Sequence, residues 1–353
     1  MTMQPAHFLS LFKLDLPIIQ APMAGVQNHR LVVAVSNAGG LGSLPAAMLS
    51  LDVLRSELEQ ISAQTDRPYN VNFFCHTPPV FSDLRETVWR EALNPYYDEL
   101  GLDIRNIPTG PGRAPFTHES ADVLEAFKPP VVSFHFGLPA PDLLDRVRAW
   151  GSKIIASATT VEEALWLEFH GVDAVIAQGL EAGGHRGHFL SHDLTRQLGT
   201  IALLPQIVQG VKVPVIAAGG IADAAGVAAA MTLGAAAVQI GTAYMLCPEA
   251  TTSTLHRAAL KSPAAAHTTL TNLFTGRPAR GIVNRLMREL GPINPAAPEF
   301  PLATGGIAPL RAAAEKAANT DFTPLWSGQN TSGCREIGAA ELTRALMAGW
   351  ATP

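Results

Sequence analysis

Residues 215–243 read VIAAGGIADAAGVAAAMTLGAAAVQIGTA: two short, mostly apolar runs, Val215–Ala218 and Ala237–Ile240, each stopping at glycine, with an alanine-rich stretch between them. Continuous rather than alternating hydrophobicity is what parallel strands buried on both faces require. Asp223 can cap the intervening helix, Ala224–Leu233, and Gly234 sits where that helix should end. The stretch therefore predicts strand, helix and parallel strand, joined by a right-handed crossover.

The same unit recurs upstream. Pro17–Met23, Gly40–Leu44, Tyr69–Phe74, Val131–Phe136, Lys153–Ser157 and Ala174–Gln178 bring the strand count to eight. Thr160-Val161-Glu162-Glu163 has the form of a capping box, with Gly171 at the far end of its helix, and Pro141-Asp142 opens another helix that closes at Gly151. Eight such units predict an α/β fold, a (β/α)8 TIM barrel. An open doubly wound sheet is the competing arrangement.

Two segments break the rhythm and set the expected organisation. Residues 1–74 and 121–247 form the barrel. Residues 75–120, rich in proline and aromatics (Pro78, Pro79, Trp89, Tyr96, Tyr97, Pro108, Pro111), are a lid inserted after the third strand, over the C-terminal mouth. Residues 248–353 are a cap packed on the barrel and returning to its mouth.

Composition narrows the function classes. Of 353 residues, 47% are hydrophobic and 16% charged, and the net charge is −5, which gives no footprint for nucleic acid or an acidic membrane surface. Cys75, Cys247 and Cys334 fit neither a disulfide framework nor a zinc module. No secretory signal is read in Met1–Leu16 and no apolar run is long enough for a membrane span, so the expected location is cytoplasmic. The oligomeric state stays open, with a homodimer among the options.

The glycines at the last two strand ends are where barrels often hold phosphate. Gly219-Gly220 and Gly241-Thr242 let backbone N–H groups approach an anion, and Thr242 adds a hydroxyl; tight turns alone are the plainer reading. Gln178 leads into the glycine-dense run Gly179–His188, which suits close wrapping of a planar ligand. Gln178 could face a heterocycle's carbonyl and ring nitrogen. Met23, under the mouth, is core filler or a cofactor contact, and Asn72 a turn residue or a contact.

Taken together, Gln20–Gly25, Gln178–His185, Ala217–Gly220 and Gln239–Thr242 resemble the FMN-binding barrels of the nitronate monooxygenase superfamily over most of residues 14–246. Val132-Ser133-Phe134-His135-Phe136-Gly137 resembles that group's fourth-strand motif. Leu325-Trp326-Ser327-Gly328-Gln329 is similar to a C-terminal segment that returns to the flavin. Flavin-dependent enoyl-acyl carrier protein reductases of similar fold share a comparable Gly-Gly-His element. The resemblance implies FMN contacts at Met23, Asn72, Gln178, Gly183, Gly220, Gln239, Gly241 and Thr242, and a catalytic imidazole at His185. It implies oxidation of alkyl nitronates by O2 to carbonyl compounds with release of nitrite, without NAD(P)H. The group often brings a tyrosine and a lysine to the substrate from the cap; here Glu299-Phe300-Pro301-Leu302 through Arg311 has no tyrosine, and no lysine precedes Lys316.

His185 has two chemical readings: an imidazolium that orients the nitronate anion, which we favour, or a neutral base that removes a nitroalkane's α-proton. A surface-loop histidine is the plain alternative. His135 is either substrate-facing or a hydrogen-bonded interior residue. His185, His188 and His192 lack ligand spacing, with only Glu181 nearby, so no metal is expected. Cys75 reads as a quiet thiol. Arg186 could neutralise phosphate or pair with a lid carboxylate. An NAD(P)H-dependent reductase of the same fold, or a flavin- or nucleotide-binding barrel without turnover, are the rival functions.

Overall fold

The computed structural model describes residues 5–107 and 113–349, so Pro108 and Pro111 of the inserted segment lie outside the described residues. Its strands are β1 (Ile18–Gln20), β2 (Gly42–Pro45), β3 (Tyr69–Phe74), β4 (Val131–His135), β5 (Lys153–Ala158), β6 (Ala174–Gln178), β7 (Gly184–His185), β8 (Val215–Ala218), β9 (Ala237–Ile240), β10 (Thr268–Thr271) and β11 (Ala279–Ile282). Eight of them form one sheet in the order β1-β9-β8-β6-β5-β4-β3-β2. Its neighbours pair in parallel. The two ends meet at Ile19 and Leu41, where Gln20 N donates to Leu41 O at 2.9 Å and Leu41 N to Ile18 O at 2.8 Å. This is the expected TIM barrel, and the doubly wound alternative is excluded. The first strand is shorter than Pro17–Met23, and the second starts two residues later and ends one residue later than expected.

Side chains alternate across each strand as a barrel demands. Ile19, Leu41, Val131, Ile155, Ile176, Ile216 and Ala237 share one apolar cluster with Phe8 and Phe12 of the N-terminal helix Pro5–Phe12, which closes the strand-start end. Their neighbours Val132, Ile154, Val175, Val215 and Val238 belong to a second cluster with Leu31, Val35, Leu58 and Leu203 of the outer helices. The Thr160 hydroxyl caps its helix at Glu163 N, but the reciprocal half of the box is absent. Glu163 is buried and accepts from Thr159 N at 2.7 Å and Phe189 N at 2.6 Å, tying the helix start to the loop that follows β7.

The inserted segment is more ordered than its prolines suggest. Residues Asp83–Glu99 form a 17-residue helix. Trp89, Leu93 and Tyr97 from it pack with Leu273, Phe274, Leu286, Ile307 and Leu310 of the C-terminal region in an apolar cluster separate from the barrel's. Trp89 Nε1 donates to Ala303 O and Tyr97 OH to Gly306 O at 2.8 Å. A Cβ at Gly306 would lie 2.8 Å from Leu93, so glycine permits this close approach. Strands β10, β11 and β7 make an antiparallel sheet, and Gly281 of β11 bridges to Trp326. Among the described residues no helix is long and apolar enough to cross a membrane.

Candidate active site

A cavity of about 290 Å³ opens at the C-terminal ends of the barrel strands. All ten residues singled out in the sequence line it: Met23, Asn72, His135, Gln178, Gly183, His185, Gly220, Gln239, Gly241 and Thr242. They come from strand ends because parallel strands point their C-termini to one face. The loop after β1 is pinned by a glutamine pair: Gln20 Nε2 donates to Gln27 Oε1 at 2.7 Å, and Met23 N donates to the same oxygen at 2.9 Å. That pairing holds Met23 at the mouth.

The turns after β8 and β9 have the geometry of an anion cradle. Gly219 (φ +116°) and Gly220 (φ +74°) lie in the left-handed region, and a Cβ on Gly219 would sit 3.0 Å from Thr200 Oγ1. The nearby helix Thr200–Gly210 has no vacancy for phosphate. The Glu181 carboxylate already accepts from Thr200 N at 2.8 Å and Thr200 Oγ1 at 2.8 Å. Thr242 Oγ1 accepts from Gly328 N at 3.0 Å, which leaves its own proton to donate. Gln239 Oε1 is buried without a partner. An orphaned acceptor inside a ligand cavity points to a missing donor. These features fit a phosphorylated, hydrogen-bonding heterocycle.

Gln178 behaves differently from expectation. Its Nε2 donates to His185 O at 3.0 Å and its Oε1 accepts from Gly187 N at 2.8 Å, so its amide fastens the loop while its flank lines the cavity. His135 is similar: Nε2 donates to His185 O at 3.2 Å and Nδ1 accepts from Ser157 Oγ at 3.0 Å. Both ring nitrogens are taken, and burial lowers its pKa to about 3. Arg186 does not line the cavity and, among the described residues, pairs with no carboxylate. It is fully buried and donates to Gly179 O, Gln178 O and Gln197 Oε1, clamping the run it belongs to.

His185 belongs to a strand rather than a free loop: β7 pairs with β11, setting His185 opposite Ala279. Its Nε2 lies 3.0 Å from Thr275 Oγ1. That hydroxyl also lies 3.3 Å from Arg277 O, an arrangement in which it can accept the Nε2 proton and leave the Nδ1 lone pair free. The ring is enclosed by Phe74, Phe136, Phe300 and Trp326, with centroids 5.3–6.0 Å away. Desolvation, then the Arg113 charge, holds its pKa well below the ordinary value. Burial and the nearby cation thus favour the neutral form of the ring over the imidazolium. Phe136 adopts φ +72°, a costly conformation for an aromatic residue, and lies under Arg277 with 4.0 Å from guanidinium carbon to ring centroid.

Sequence reasoning missed Arg113, His256 and Arg311, which also line the cavity. His256 Nε2 lies 3.1 Å from Trp326 O, and burial lowers its pKa to about 4. Among the described residues the lining holds two arginines and no aspartate or glutamate. A cavity of that charge receives anions.

The chain matches the nitronate monooxygenase family model over residues 6–349. It is 41% identical over 350 residues to the nitronate monooxygenase of Pseudomonas aeruginosa, covering 97% of this chain and 98% of that protein. The structure of nitroalkane oxidase from Streptomyces ansochromogenes superposes with TM-score 0.87 at 39% identity, covering 97% of this chain and 96% of that one. FabK from Thermotoga maritima superposes less well, with TM-score 0.71 at 26% identity over 96% and 94%. The chain therefore belongs to the nitronate monooxygenase family, a family of oxidoreductase enzymes that work with a flavin.

Proposed function

We propose that the protein binds FMN and oxidises alkyl nitronates with O2 to carbonyl compounds and nitrite, without a nicotinamide donor. The observation that carries this reading is His185, enclosed by four aromatic rings, on a cavity lined by two arginines and, among the described residues, by no carboxylate. Gly220, Gly241 and Thr242 would hold the phosphate, and Gln239, Asn72, Gly183 and Met23 would face the ring system. The flavin, when bound, supplies the electron-accepting chemistry.

The chain's own residues position and exclude. Phe74, Phe136 and Phe300 keep water from the reacting carbon, which strengthens every charge interaction inside. A nitronate arrives already deprotonated, so His185 need only orient it. For a nitroalkane, the Nδ1 lone pair can take the α-proton, and Thr275 keeps that tautomer by holding Nε2. We also infer that residues 1–74 and 121–247 carry the cofactor while 75–120 and 248–353 shape the substrate side.

The test is an aerobic assay with ethylnitronate and no NAD(P)H. Nitrite should form with consumption of O2, and His185→Asn should slow turnover at least ~100-fold while retaining flavin. No nitrite from the wild type, or full turnover by the variant, overturns the corresponding claim.

A further inference from the structure

Two guanidinium groups line the cavity, and Arg113 is the less engaged of them. Outside the lining, Arg186 and Arg280 are also largely buried but spend their donors on backbone carbonyls or glutamine, while Arg277 bonds His188 O and lies over the Phe136 ring with its Nε unpartnered. Arg311 pairs with Glu315 at 2.7 Å. Arg113, from the end of the inserted segment, makes one side-chain bond, Nη1 to Thr304 Oγ1 at 3.1 Å, and has no carboxylate partner among the described residues. Its Cζ lies 5.8 Å from the centroid of Phe300, the ring that also stands 5.3 Å from His185. A desolvated cation that lacks a counter-ion is costly unless a ligand provides one.

We propose that Arg113 is the residue that recognises the anionic form of the substrate, its guanidinium taking the two oxygens of the nitronate group and so selecting nitronates over neutral nitroalkanes. This rests on the proposed function and deepens it. A nitronate presents two coplanar oxygens sharing one negative charge, as a carboxylate does, and the planar fork of arginine matches that shape. Burial lowers the Arg113 pKa only to about 10, so the cation persists at neutral pH. Its field also helps to keep His185 unprotonated. Anion recognition and a neutral imidazole are therefore complementary: the charge sits on Arg113, and the proton-accepting lone pair on His185. The same residue offers a cation where the cap segment up to Arg311 supplies no lysine. Its placement is set by Thr304, whose hydroxyl accepts from the guanidinium.

The experiment compares wild type, Arg113→Met, Arg113→Lys and Thr304→Val as flavin-loaded enzymes. Steady-state kinetics with ethylnitronate and with neutral nitroethane are paired with titration of sodium nitrate, an unreactive planar oxyanion, followed by the flavin's visible spectrum. Arg113→Met should raise KM for ethylnitronate at least tenfold with a smaller change in kcat. It should weaken nitrate binding to a similar degree and leave nitroethane within about threefold. Arg113→Lys should recover part of the loss, and Thr304→Val should raise KM a few-fold at unchanged kcat. Equal losses on ethylnitronate and nitroethane, or nitrate affinity within twofold of wild type, would overturn the proposal. If Arg113→Met fails to hold flavin, unchanged KM in both Arg113→Lys and Thr304→Val overturns it equally. Wild type that ignores nitronate yet binds nitrate through Arg113 would sink the proposed function and leave the anion site standing.

Discussion

At the scale of single residues, the site is built from side chains whose bonding leaves one atom unspent. His185 spends Nε2 on Thr275, Thr242 spends a lone pair on Gly328, and Gln239 spends nothing at its Oε1. A buried acceptor without a donor costs about 1–3 kcal/mol. Replacing Gln239 by leucine removes that penalty from the cofactor-free protein and removes a contact from the loaded one. Gln239→Leu should therefore leave the melting temperature of the flavin-free protein unchanged or slightly higher, while FMN affinity falls about tenfold, equivalent to about 1.4 kcal/mol. Calorimetry of the stripped protein and flavin titration measure the two halves. A stripped variant that melts several degrees lower with unaltered FMN affinity would make Gln239 a packing residue. These residue types are legible from the chain alone, since each stands at a strand end. The atom each would spare could not be read, because Thr275 and Gly328 are far along the chain from their partners.

At the scale of elements, a pair of strands that do not announce themselves, β7 and β11, holds the site together. β7 has two residues, one of them glycine, and its partner β11 follows only after the last two barrel strands and the start of the cap. Neither has the continuous apolar run that made the barrel strands legible. The helix Asp83–Glu99 was hidden similarly, by Pro95 within it and by prolines at its approach. The segment Trp326–Gly328 is pressed on the glycine run: a Cβ on Gly183 would lie 2.5 Å from Gly328 N and 2.6 Å from Ser327 C. Gly183→Ala should push that segment off the mouth. We expect flavin retention, measured by ultrafiltration of the loaded protein, to weaken about tenfold (~1.4 kcal/mol) with the barrel's melting little changed. Retention equal to wild type would show that the segment moves freely and does not grip the cofactor.

At the scale of the whole molecule, the barrel carries a set of neutral histidines near its mouth: His76 and His256 are lowered to about 4, His135 and His188 to about 3, and His185 also well below its ordinary value, each chiefly by desolvation. Between those values and about 6.5 the unfolded chain binds more protons than the folded one. The stability these groups contribute is present above pH 6.5 and is lost as pH falls toward 3. Each fully neutral histidine costs about 1.4 kcal/mol per pH unit in that window. The melting temperature should therefore drop steeply from pH 7 to pH 5, and His188→Gln should flatten the slope. A flat profile would mean that these rings protonate in the folded state.

The most direct check of the central reading is an anaerobic titration of the purified, oxidised flavoprotein with ethylnitronate in the absence of nicotinamide. The flavin's visible band should bleach on mixing, with NADH or NADPH alone acting slowly or not at all. A spectrum that ignores the nitronate while NADPH bleaches it at once would contradict that reading and mark the protein as a nicotinamide-dependent reductase on the same barrel.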